Sequence, residues 1–515
     1  MSVAALAHTR GSVRRSARGA LLPLGAAALS AALYGLAFAP VPGAAAAAWV
    51  ALAPFFAAAA SVRPLAAAGL GLFYGLGLGV ATCWWLPGML QQYFGLGGAA
   101  SALASGSAFL AFCGVHFAAF AAWLAWLARR GPVSPLLVAC GFAACEWARA
   151  SLGVGNPWGL LAYSQVDVRP LAQLADLAGP WGIAWILAFA SALLAGAFAT
   201  ALRPRRPLAS AGLLGLLAAA SLAYGHVRLA GDFAAGPAVR VALVQGGIAR
   251  PDTDPGRDAV RSRAELERYL ALSAEAVAAA KPALVVWPEG ALDFSAFELT
   301  QRTLRLRDAA KALGADLLIG APRRDETGAR RNAMVMLRGG RVAGVHDKME
   351  LMPFAERSAL GLGRDAVAPG DEIRLLGSAG LRIGAAICSE AMGPGYARRL
   401  VAAGATVLVN PSNDYWFTSE AAARQQLAKA RFRAIETRRA LVRATSTGYS
   451  AIVDANGDVV AVSGFGGAEW LAGDVRAGTD LTVHQRAGFA LGPALLALCL
   501  AAPLVRRNRH TGENR

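Results

Sequence analysis

Leu381-Arg-Ile-Gly-Ala-Ala-Ile-Cys388-Ser-Glu390 is an apolar run that ends on a cysteine, and it decides how the second half of the chain is interpreted. Its apolar and β-branched residues predict a buried strand that ends at Cys388. No other cysteine lies between Cys145 and Cys499, and those outside this interval lie within or beside long apolar stretches, where thiols usually behave as small hydrophobes. A lone thiol at a strand end in an otherwise cysteine-free soluble region is a candidate nucleophile. The alternative is a buried structural cysteine, which is the commoner role of a free thiol.

The run belongs to a region, residues 237–484, in which strands and helices are predicted to alternate. Apolar, β-branched runs predict strands at 239–245, 283–287, 315–320, 333–337, 341–345, 381–388, 406–410, 441–446 and 449–453. Helical spacing predicts helices at 257–281, 296–313, 394–403 and 419–438. This alternation is typical of α/β domains, in which reactive groups gather beyond the carboxyl ends of the strands.

Two further polar residues follow predicted strands. Glu289 comes directly after Pro288, which stops sheet pairing and holds the glutamate on a turn, and Lys348 follows the strand at 341–345. A Glu, a Lys and a Cys brought together can perform covalent acyl transfer, with Glu289 as general base and Cys388 as nucleophile. Lys348 would stabilise the oxyanion, alongside a backbone N–H after the nucleophile, and would lower the pKa of the thiol. Taken singly, Glu289 is an ordinary solvated turn residue and Lys348 an ordinary surface charge.

The remaining composition indicates a membrane protein. Of the 515 residues, 56 % are hydrophobic and only 16 % are charged, and the mean hydropathy is +0.43. This profile is typical of a membrane protein with a substantial soluble part. Eight apolar segments, most of them near the roughly 20 residues that cross a bilayer, predict spans at 20–39, 44–61, 65–82, 102–127, 133–147, 174–200, 208–224 and 489–505.

The positions of the arginines indicate the orientation of these spans. Much of the net charge of +17 lies in clusters beside apolar segments, and the chain has no nucleic-acid-binding motif, so nucleic-acid binding is excluded. The clusters are Arg10, Arg14, Arg15 and Arg18; Arg129 and Arg130; Arg203, Arg205 and Arg206; and Arg506, Arg507 and Arg509. By the positive-inside rule, both termini are cytoplasmic and the region 237–484 lies outside. A cleaved signal peptide that includes Arg14 and Arg15 is the alternative for the first segment.

The chain therefore divides into three predicted parts. Residues 1–236 form a membrane domain with seven spans, residues 237–484 form an extracytoplasmic α/β catalytic domain, and residues 485–515 form the last span with a basic tail. Glu146 and Arg149 stand out at the end of the fifth span, because ionisable groups there are costly unless they are paired or functional.

The order Trp287-Pro288-Glu289, then Lys348, then Cys388-Ser389-Glu390 resembles the nitrilase superfamily, whose triad is Glu-Lys-Cys. A nitrilase-like domain between seven spans and one span resembles the family of bacterial apolipoprotein N-acyltransferases over nearly the whole chain. Other matching pieces are Glu146-Trp147 with Arg149, Asn156-Pro157-Trp158 with Tyr163-Ser164-Gln165, Val244-Gln245-Gly246, Pro353-Phe354-Ala355-Glu356, Asn413-Asp414-Tyr415-Trp416-Phe417 and Arg443-Ala444-Thr445.

The resemblance implies an αββα sandwich mounted on an eight-span helical bundle in the bacterial inner membrane, with the catalytic domain periplasmic. It implies transfer of an acyl chain from a phospholipid, typically phosphatidylethanolamine, to the α-amino group of the diacylglyceryl-modified cysteine of an apolipoprotein, through a thioester on Cys388. The six histidines have no metal-ligand spacing and no Gly-rich nucleotide loop follows a strand, so we expect no metal and no cofactor. We also expect a monomer. The residues implied to support the triad or bind substrate are Glu356, Ser389, Glu390, Asn413 and Trp416.

Several positions depart from the family pattern. Ser389 stands where Tyr is usual, Ala355 replaces a Gly, the residues 357–359 replace Tyr-Val-Pro, and the loop 249–255 lacks a Trp. These departures leave the reaction type unchanged and make the substrate preference the open question. Two alternatives remain: a membrane-tethered amidase of the nitrilase type, which would use water as acceptor, and a receptor or transporter with an outer binding domain.

Overall fold

The computed structural model describes residues 21–153, 155–248, 259–352, 356, 367–417, 419–487 and 490–512. Its first part is helical. The helices are α1 (Leu21–Leu36), α2 (Ala53–Ser61), α3 (Pro64–Cys83), α4 (Leu86–Phe94), α5 (Gly98–Phe109), α6 (Val115–Ala128), α7 (Pro135–Ser151), α8 (Arg169–Ala172), α9 (Ala175–Ala195) and α10 (Pro207–Leu229).

Five helical stretches are long and apolar enough to cross a membrane: Ala44–Ser61, Pro64–Cys83, Gly98–Ala128, Ala175–Ala195 and Pro207–Leu229. They match five of the eight predicted spans. The helices at the other three predicted spans, α1, α7 and the C-terminal helix, are shorter or less apolar, so the count of eight stays a prediction.

Small residues let the helices of this bundle approach closely. A Cβ on Gly71 of α3 would lie 2.3 Å from the carbonyl oxygen of Phe117 in α6, and one on Gly75 would lie 2.5 Å from the Cα of Gly114. Close backbone approach at glycines is the usual way in which membrane helices gain packing. A π-turn at Leu110–Gly114 joins α5 to α6.

The second part consists of two six-stranded sheets. The strands are β1 (Ala235–Gly246), β2 (Leu284–Val286), β3 (Asp316–Arg324), β4 (Arg330–Arg338), β5 (Arg341–Asp347), β6 (Leu376–Ser378), β7 (Leu381–Ala385), β8 (Val407–Ser412), β9 (Leu441–Thr445), β10 (Ala451–Val453), β11 (Val459–Val462) and β12 (Ala468–Ala477). The first sheet has the order β12-β1-β2-β3-β4-β5 and the second β11-β10-β9-β8-β7-β6. In the first sheet β1, β2 and β3 run parallel to one another, and in the second sheet β7, β8 and β9 do. The outer strands of both sheets pair antiparallel with their neighbours.

The inner faces of the two sheets pack against each other, and helices cover the outer faces. Val241 and Leu318 of the first sheet share one core with Ile383 and Val409 of the second. The helices are α11 (Ala259–Ala280), α12 (Gln301–Leu313), α13 (Pro394–Ala402), α14 (Glu420–Thr437), α15 (Val483–Ala487) and α16 (Leu491–Gly512). Because α11 and α12 cover the first sheet and α13 and α14 the second, the α/β prediction is confirmed as a four-layered αββα sandwich.

One helix joins this sandwich to the bundle. The Ala430 and Ala434 side of α14 packs on the second sheet, whereas Phe432 and Ile435 belong to the core of the helical bundle. The Phe432 ring lies 5.0 Å from that of Tyr163. A helix presents residues three or four apart on one face, so α14 serves both partners with two faces.

Candidate functional site

The site lies where strands of both sheets end. Glu289 follows β2 and Lys348 follows β5 in the first sheet, while Cys388 follows β7 in the second. Lys348 is 2 % exposed, and its Nζ lies 3.0 Å from Glu289 Oε1 and 2.9 Å from Glu356 Oε2. The structure therefore brings three of the residues predicted from sequence into one hydrogen-bonded cluster.

Asn332 completes this cluster, and sequence reasoning missed it. Its Nδ2 donates to Glu289 Oε1 at 2.8 Å and to Glu356 Oε1 at 3.2 Å, and its carbonyl accepts from the Lys348 N–H at 2.8 Å. The residue pairs with Pro322 across β3–β4 and directly precedes the buried apolar run 333–337. Because it follows two arginines in sequence, no local signal marked it, and only the strand register shows what it meets.

Asn413 holds the second oxygen of Glu289 through its backbone. Its N–H donates to Glu289 Oε2 at 3.1 Å, while its side-chain oxygen accepts from Ser446 Oγ at 2.8 Å. Both oxygens of Glu289 are thus fixed by donors from different sheets. A carboxylate held in this way is oriented before any substrate arrives.

Cys388 sits on a strained turn that Glu390 braces. The residue has φ +50°, in the left-handed region that side chains other than glycine seldom adopt. Glu390 Oε2 accepts from the Ile387 N–H at 2.7 Å, and Oε1 accepts from the N–H groups of Met349 at 2.7 Å and Glu350 at 2.9 Å. Glu390 thereby ties the nucleophile turn to the segment that carries Lys348.

The net pKa of the Cys388 thiol is set by opposing effects. Burial and the nearby Glu289 carboxylate raise the pKa of Cys388 to about 12, and the opposing effect of Lys348 is smaller. Burial by itself would lower the pKa of Lys348, but Glu289 and Glu356 raise it well above its usual value. Lys348 does lower the pKa of the thiol, as expected from sequence, but burial and Glu289 outweigh it, so the resting group is a neutral thiol at neutral pH.

A second chain of contacts reaches the thiol from β8. Ser412 acts to lower the pKa of the Cys388 thiol. Ser412 Oγ donates to Asp414 Oδ1 at 2.6 Å, and Arg443 Nη2 donates to Asp414 Oδ2 at 2.6 Å. Ser412, Asp414 and Arg443 are all buried, so the Ser412 side chain is fixed in position.

The aromatic loop after β8 packs on the helical bundle. The Trp416 ring contacts Tyr93 of α4, and the Phe417 ring lies 5.2 Å from Trp85 and 5.3 Å from Trp158. Glu146 and Arg149 support this contact, because they form a fully buried pair at 2.8 Å and Arg149 Nη1 donates to the Trp158 carbonyl at 2.7 Å. Glu146 and Arg149 are thus paired with each other, and Arg149 holds the loop of Trp158, on which Phe417 packs.

The remaining predicted positions are only partly described. The hydroxyl of Ser389 is buried and has no hydrogen-bond partner among the described residues. The Met352 N–H donates to Glu356 Oε2 at 2.8 Å. The first loop at 249–255 and residues 353–355 and 357–359 lie outside the described residues.

Comparison with known proteins agrees with the two parts of this fold. Residues 240–479 match the carbon-nitrogen hydrolase family, and residues 30–193 match the apolipoprotein N-acyltransferase N-terminal domain. The first match covers the sandwich and the second covers most of the helical bundle.

Curated relatives match over most of the chain. An apolipoprotein N-acyltransferase of Geobacter metallireducens is 31 % identical over 93 % of this chain and 95 % of its own length. The corresponding protein of Methylococcus capsulatus is 30 % identical over 93 % and 96 %, and that of Bordetella bronchiseptica is 32 % identical over 87 % and 88 %. The chain therefore belongs to the apolipoprotein N-acyltransferase family and is an acyltransferase of lipoprotein biosynthesis.

Proposed function

We propose that this enzyme transfers a fatty acyl chain from a phospholipid to the α-amino group of the N-terminal S-diacylglyceryl cysteine of apolipoproteins, through a thioester on Cys388. The observation that carries this proposal is the buried cluster of Lys348, Glu289, Glu356 and Asn332 beside the half-buried, neutral thiol of Cys388. A base, a fixed cation and a nucleophile in one buried site are the parts that covalent acyl transfer requires.

The first half-reaction forms the thioester. As the Cys388 sulfur attacks the ester carbonyl of the donor, its proton passes to Glu289. The Lys348 ammonium and the Ser389 N–H stabilise the tetrahedral oxyanion. When this intermediate collapses, the carbon–oxygen bond to the glycerol breaks, and the departing oxygen takes the proton from Glu289 to leave a lysophospholipid.

The second half-reaction transfers the acyl group to nitrogen. The α-amine of the acceptor attacks the thioester carbonyl while Glu289 takes a proton from the nitrogen. The carbon–sulfur bond breaks, an amide forms, and the proton returns to the Cys388 sulfur. Water must be kept from the thioester, since hydrolysis would release the acyl chain as free fatty acid. Tyr415, Trp416 and Phe417, packed on the bundle, are the cover that we propose for this role.

The substrates and the topology complete the proposal. Phosphatidylethanolamine is the donor, the acceptor is an apolipoprotein that already carries a diacylglyceryl group, and the enzyme acts as a monomer in the inner membrane. Eight spans place both termini in the cytoplasm and the sandwich on the periplasmic side, supported by the arginine clusters and by the five long apolar helices.

The thioester can be trapped on the full-length enzyme. Incubation with phospholipid labelled in its acyl chain is expected to leave a hydroxylamine-sensitive label on the wild type and none on Cys388→Ala. Cys140→Ala, which removes a half-buried thiol from the bundle, is the matched control and should label as the wild type does. Label that persists in Cys388→Ala would contradict the mechanism. An acyl group that is released as free fatty acid at the same rate with and without a lipopeptide amine would indicate a water-using amidase instead.

A further inference from the structure

A cavity of about 400 Å³ lies between the helical bundle and the back of the catalytic sandwich. Its walls come from the end of α7, from the first turns of α9, α13 and α16, and from α15. None of Glu289, Lys348 and Cys388 lines it. The volume falls in the range of small-molecule sites, about 300–1,000 Å³, so the space is sufficient for a ligand separate from the reacting centre.

The start of α13 gives one wall of the cavity a positive character. Gly393 is the N-cap residue and supplies no side-chain cap, and Pro394 follows it. The first N–H groups of a helix have no partner within the helix, and together with the helix dipole they favour an anion. Arg398 and Arg399, a turn further along α13, also line the cavity.

His484 supplies an independent observation on the opposite wall. Its side chain is more than nine-tenths buried, and its ring nitrogens make no hydrogen bond to any described residue. A buried polar group without a partner is costly and in native proteins usually meets a ligand or water. The charged groups that face the imidazole from neighbouring elements are Arg398, Arg433 and Asp176.

The fold departs from regular structure to seat this histidine. Gly179 of α9 has φ +61°, which interrupts the helix just before Pro180. A Cβ at position 179 would lie 2.6 Å from Cε1 of His484. Burial lowers the pKa of His484 to about 4, so the ring is neutral and can donate one N–H to an anion without adding charge.

The wall on the bundle side consists of two indole rings and small residues. Trp147 of α7 packs against Gly492 of α16, and Trp181 lies just after the break in α9. Indole rings favour the level of lipid headgroups. Glu350 lies at the rim, where its carboxylate pairs with Arg399 at 2.8 Å. The cavity therefore combines anion donors on one side with an interfacial aromatic wall on the other.

We propose that this cavity binds the phosphate group of a phospholipid that is not consumed in the reaction. The phosphate lies on the N-terminus of α13 with Arg398 and His484 as side-chain donors, and the glycerol and the first acyl carbons lie along Trp147 and Trp181. The Glu350 N–H donates to Glu390, which braces the turn of Cys388. The proposed lipid site is therefore connected to the nucleophile turn through Glu350 and Glu390.

Native mass spectrometry of the full-length Cys388→Ala enzyme, purified in detergent and stripped of lipid, tests this site without turnover. With added phosphatidylglycerol, this parent is expected to retain one lipid more than the same enzyme carrying Arg398→Gln or His484→Gln. In each of these two variants the apparent Kd for phosphatidylglycerol should rise at least about tenfold. Arg424→Gln removes an exposed arginine of α14 and is the matched control, which should retain the lipid as the parent does.

Two further ligands separate the possible sources of the phosphate. Uncharged diacylglycerol should not fill the site, and inorganic phosphate alone should compete with phosphatidylglycerol only at millimolar concentration. Equal lipid retention by the parent, Arg398→Gln and His484→Gln would overturn the proposal. If inorganic phosphate competes for the site as strongly as phosphatidylglycerol binds to it, the lipid would be ruled out as the occupant.

Discussion

Glu289 has two opposite effects on Cys388 at the scale of single residues. As a negative charge it raises the pKa of the thiol, and as a base it removes the proton when the sulfur attacks. A resting thiol of high pKa reacts slowly with adventitious electrophiles. Nucleophilicity is therefore expected to appear only when a carbonyl group is in place to receive the sulfur.

Replacement Glu289→Gln should separate these two effects. Loss of the negative charge lowers the pKa of Cys388, so the thiol should react faster with iodoacetamide at pH 8, whereas loss of the base should reduce acyl transfer about 10²- to 10⁴-fold. Alkylation is measured as the difference from the same variant carrying Cys388→Ala, which subtracts the other cysteines. If alkylation slows along with turnover, the claim that the Glu289 charge raises the pKa of the thiol would be wrong; if turnover is unchanged, the assignment of Glu289 as the base would be wrong.

The two asparagines of the site make a second matched comparison. Asn332→Ala removes the side chain that bridges Glu289 and Glu356, so we expect a fall in kcat of roughly 10- to 100-fold, by analogy with the loss of one charge-assisted hydrogen bond. Asn413→Ala leaves the backbone donor to Glu289 in place and should cost much less. Equal losses in steady-state acyl transfer would contradict the different roles of the two residues.

The residue scale also shows the limit of reading the site from sequence. Glu289, Lys348 and Cys388 each follow a predicted strand, which is why they could be proposed together. Asn332 could not, because its position at the cluster depends on how β3, β4 and β5 pair. The charge of the thiol also depended on burial, which outweighs the single lysine that the sequence displays.

At the scale of elements, α14 carries a buried lysine on its bundle side. Lys429 is 1 % exposed, its Nζ lies 3.1 Å from the centroid of the Trp158 ring, and it has no hydrogen-bond partner among the described residues. Burial lowers the pKa of Lys429 well below its usual value. A contact with an aromatic face offsets only part of the cost of burying an amine.

Lys429→Met should therefore stabilise the protein. Methionine keeps the length of the side chain and removes the unpartnered amine. We therefore expect the free energy of unfolding to rise by about 1–3 kcal/mol, which corresponds to a Tm higher by several degrees. The amine is protonated in the unfolded chain below about pH 10 but resists protonation when folded. The gain should therefore grow as the pH falls from about 10. Arg424→Met, at an exposed position of the same helix, should change the Tm little, and equal shifts would contradict the argument.

The strands show why some elements escape prediction. Buried parallel strands such as β2, β7 and β8 are short apolar runs, and their positions were predicted within a few residues. β11 and β12 lie at sheet edges and were missed, because β11 is only four residues long and β12 mixes charged residues with apolar ones. β12 nevertheless pairs along most of β1.

At the scale of the whole molecule, buried ion pairs dock the sandwich on the bundle. Arg438 follows α14, and its Nη2 lies 2.6 Å from Asp176 Oδ2 of α9, with both side chains 1 % exposed. Asp176 also accepts from Tyr224 and Arg228 of α10 at 2.7 and 2.8 Å. These contacts join residues far apart in sequence, and no local pattern could have indicated them.

Asp176→Asn should weaken this docking. Loss of the carboxylate leaves Arg438 buried without a counter-charge, a change that typically costs about 3–5 kcal/mol. We expect a lower Tm and faster limited proteolysis between the bundle and the sandwich. Asp167→Asn removes the exposed carboxylate of a pair with Arg431, and because solvent screens that carboxylate it should cost about 1 kcal/mol or less. An unchanged proteolysis rate in Asp176→Asn would show that the pair does not hold the two parts together.

The two-faced helix α14 has a practical consequence for expression of the catalytic part alone. A fragment cut at the predicted domain boundaries would present Phe432 and Ile435 to water, together with arginines whose partners remain behind in the bundle. An exposed apolar patch of this kind promotes self-association. The sandwich is thus expected to aggregate as a free fragment, and biochemical work on it requires detergent or lipid, although the long apolar helices found among the described residues all lie outside it.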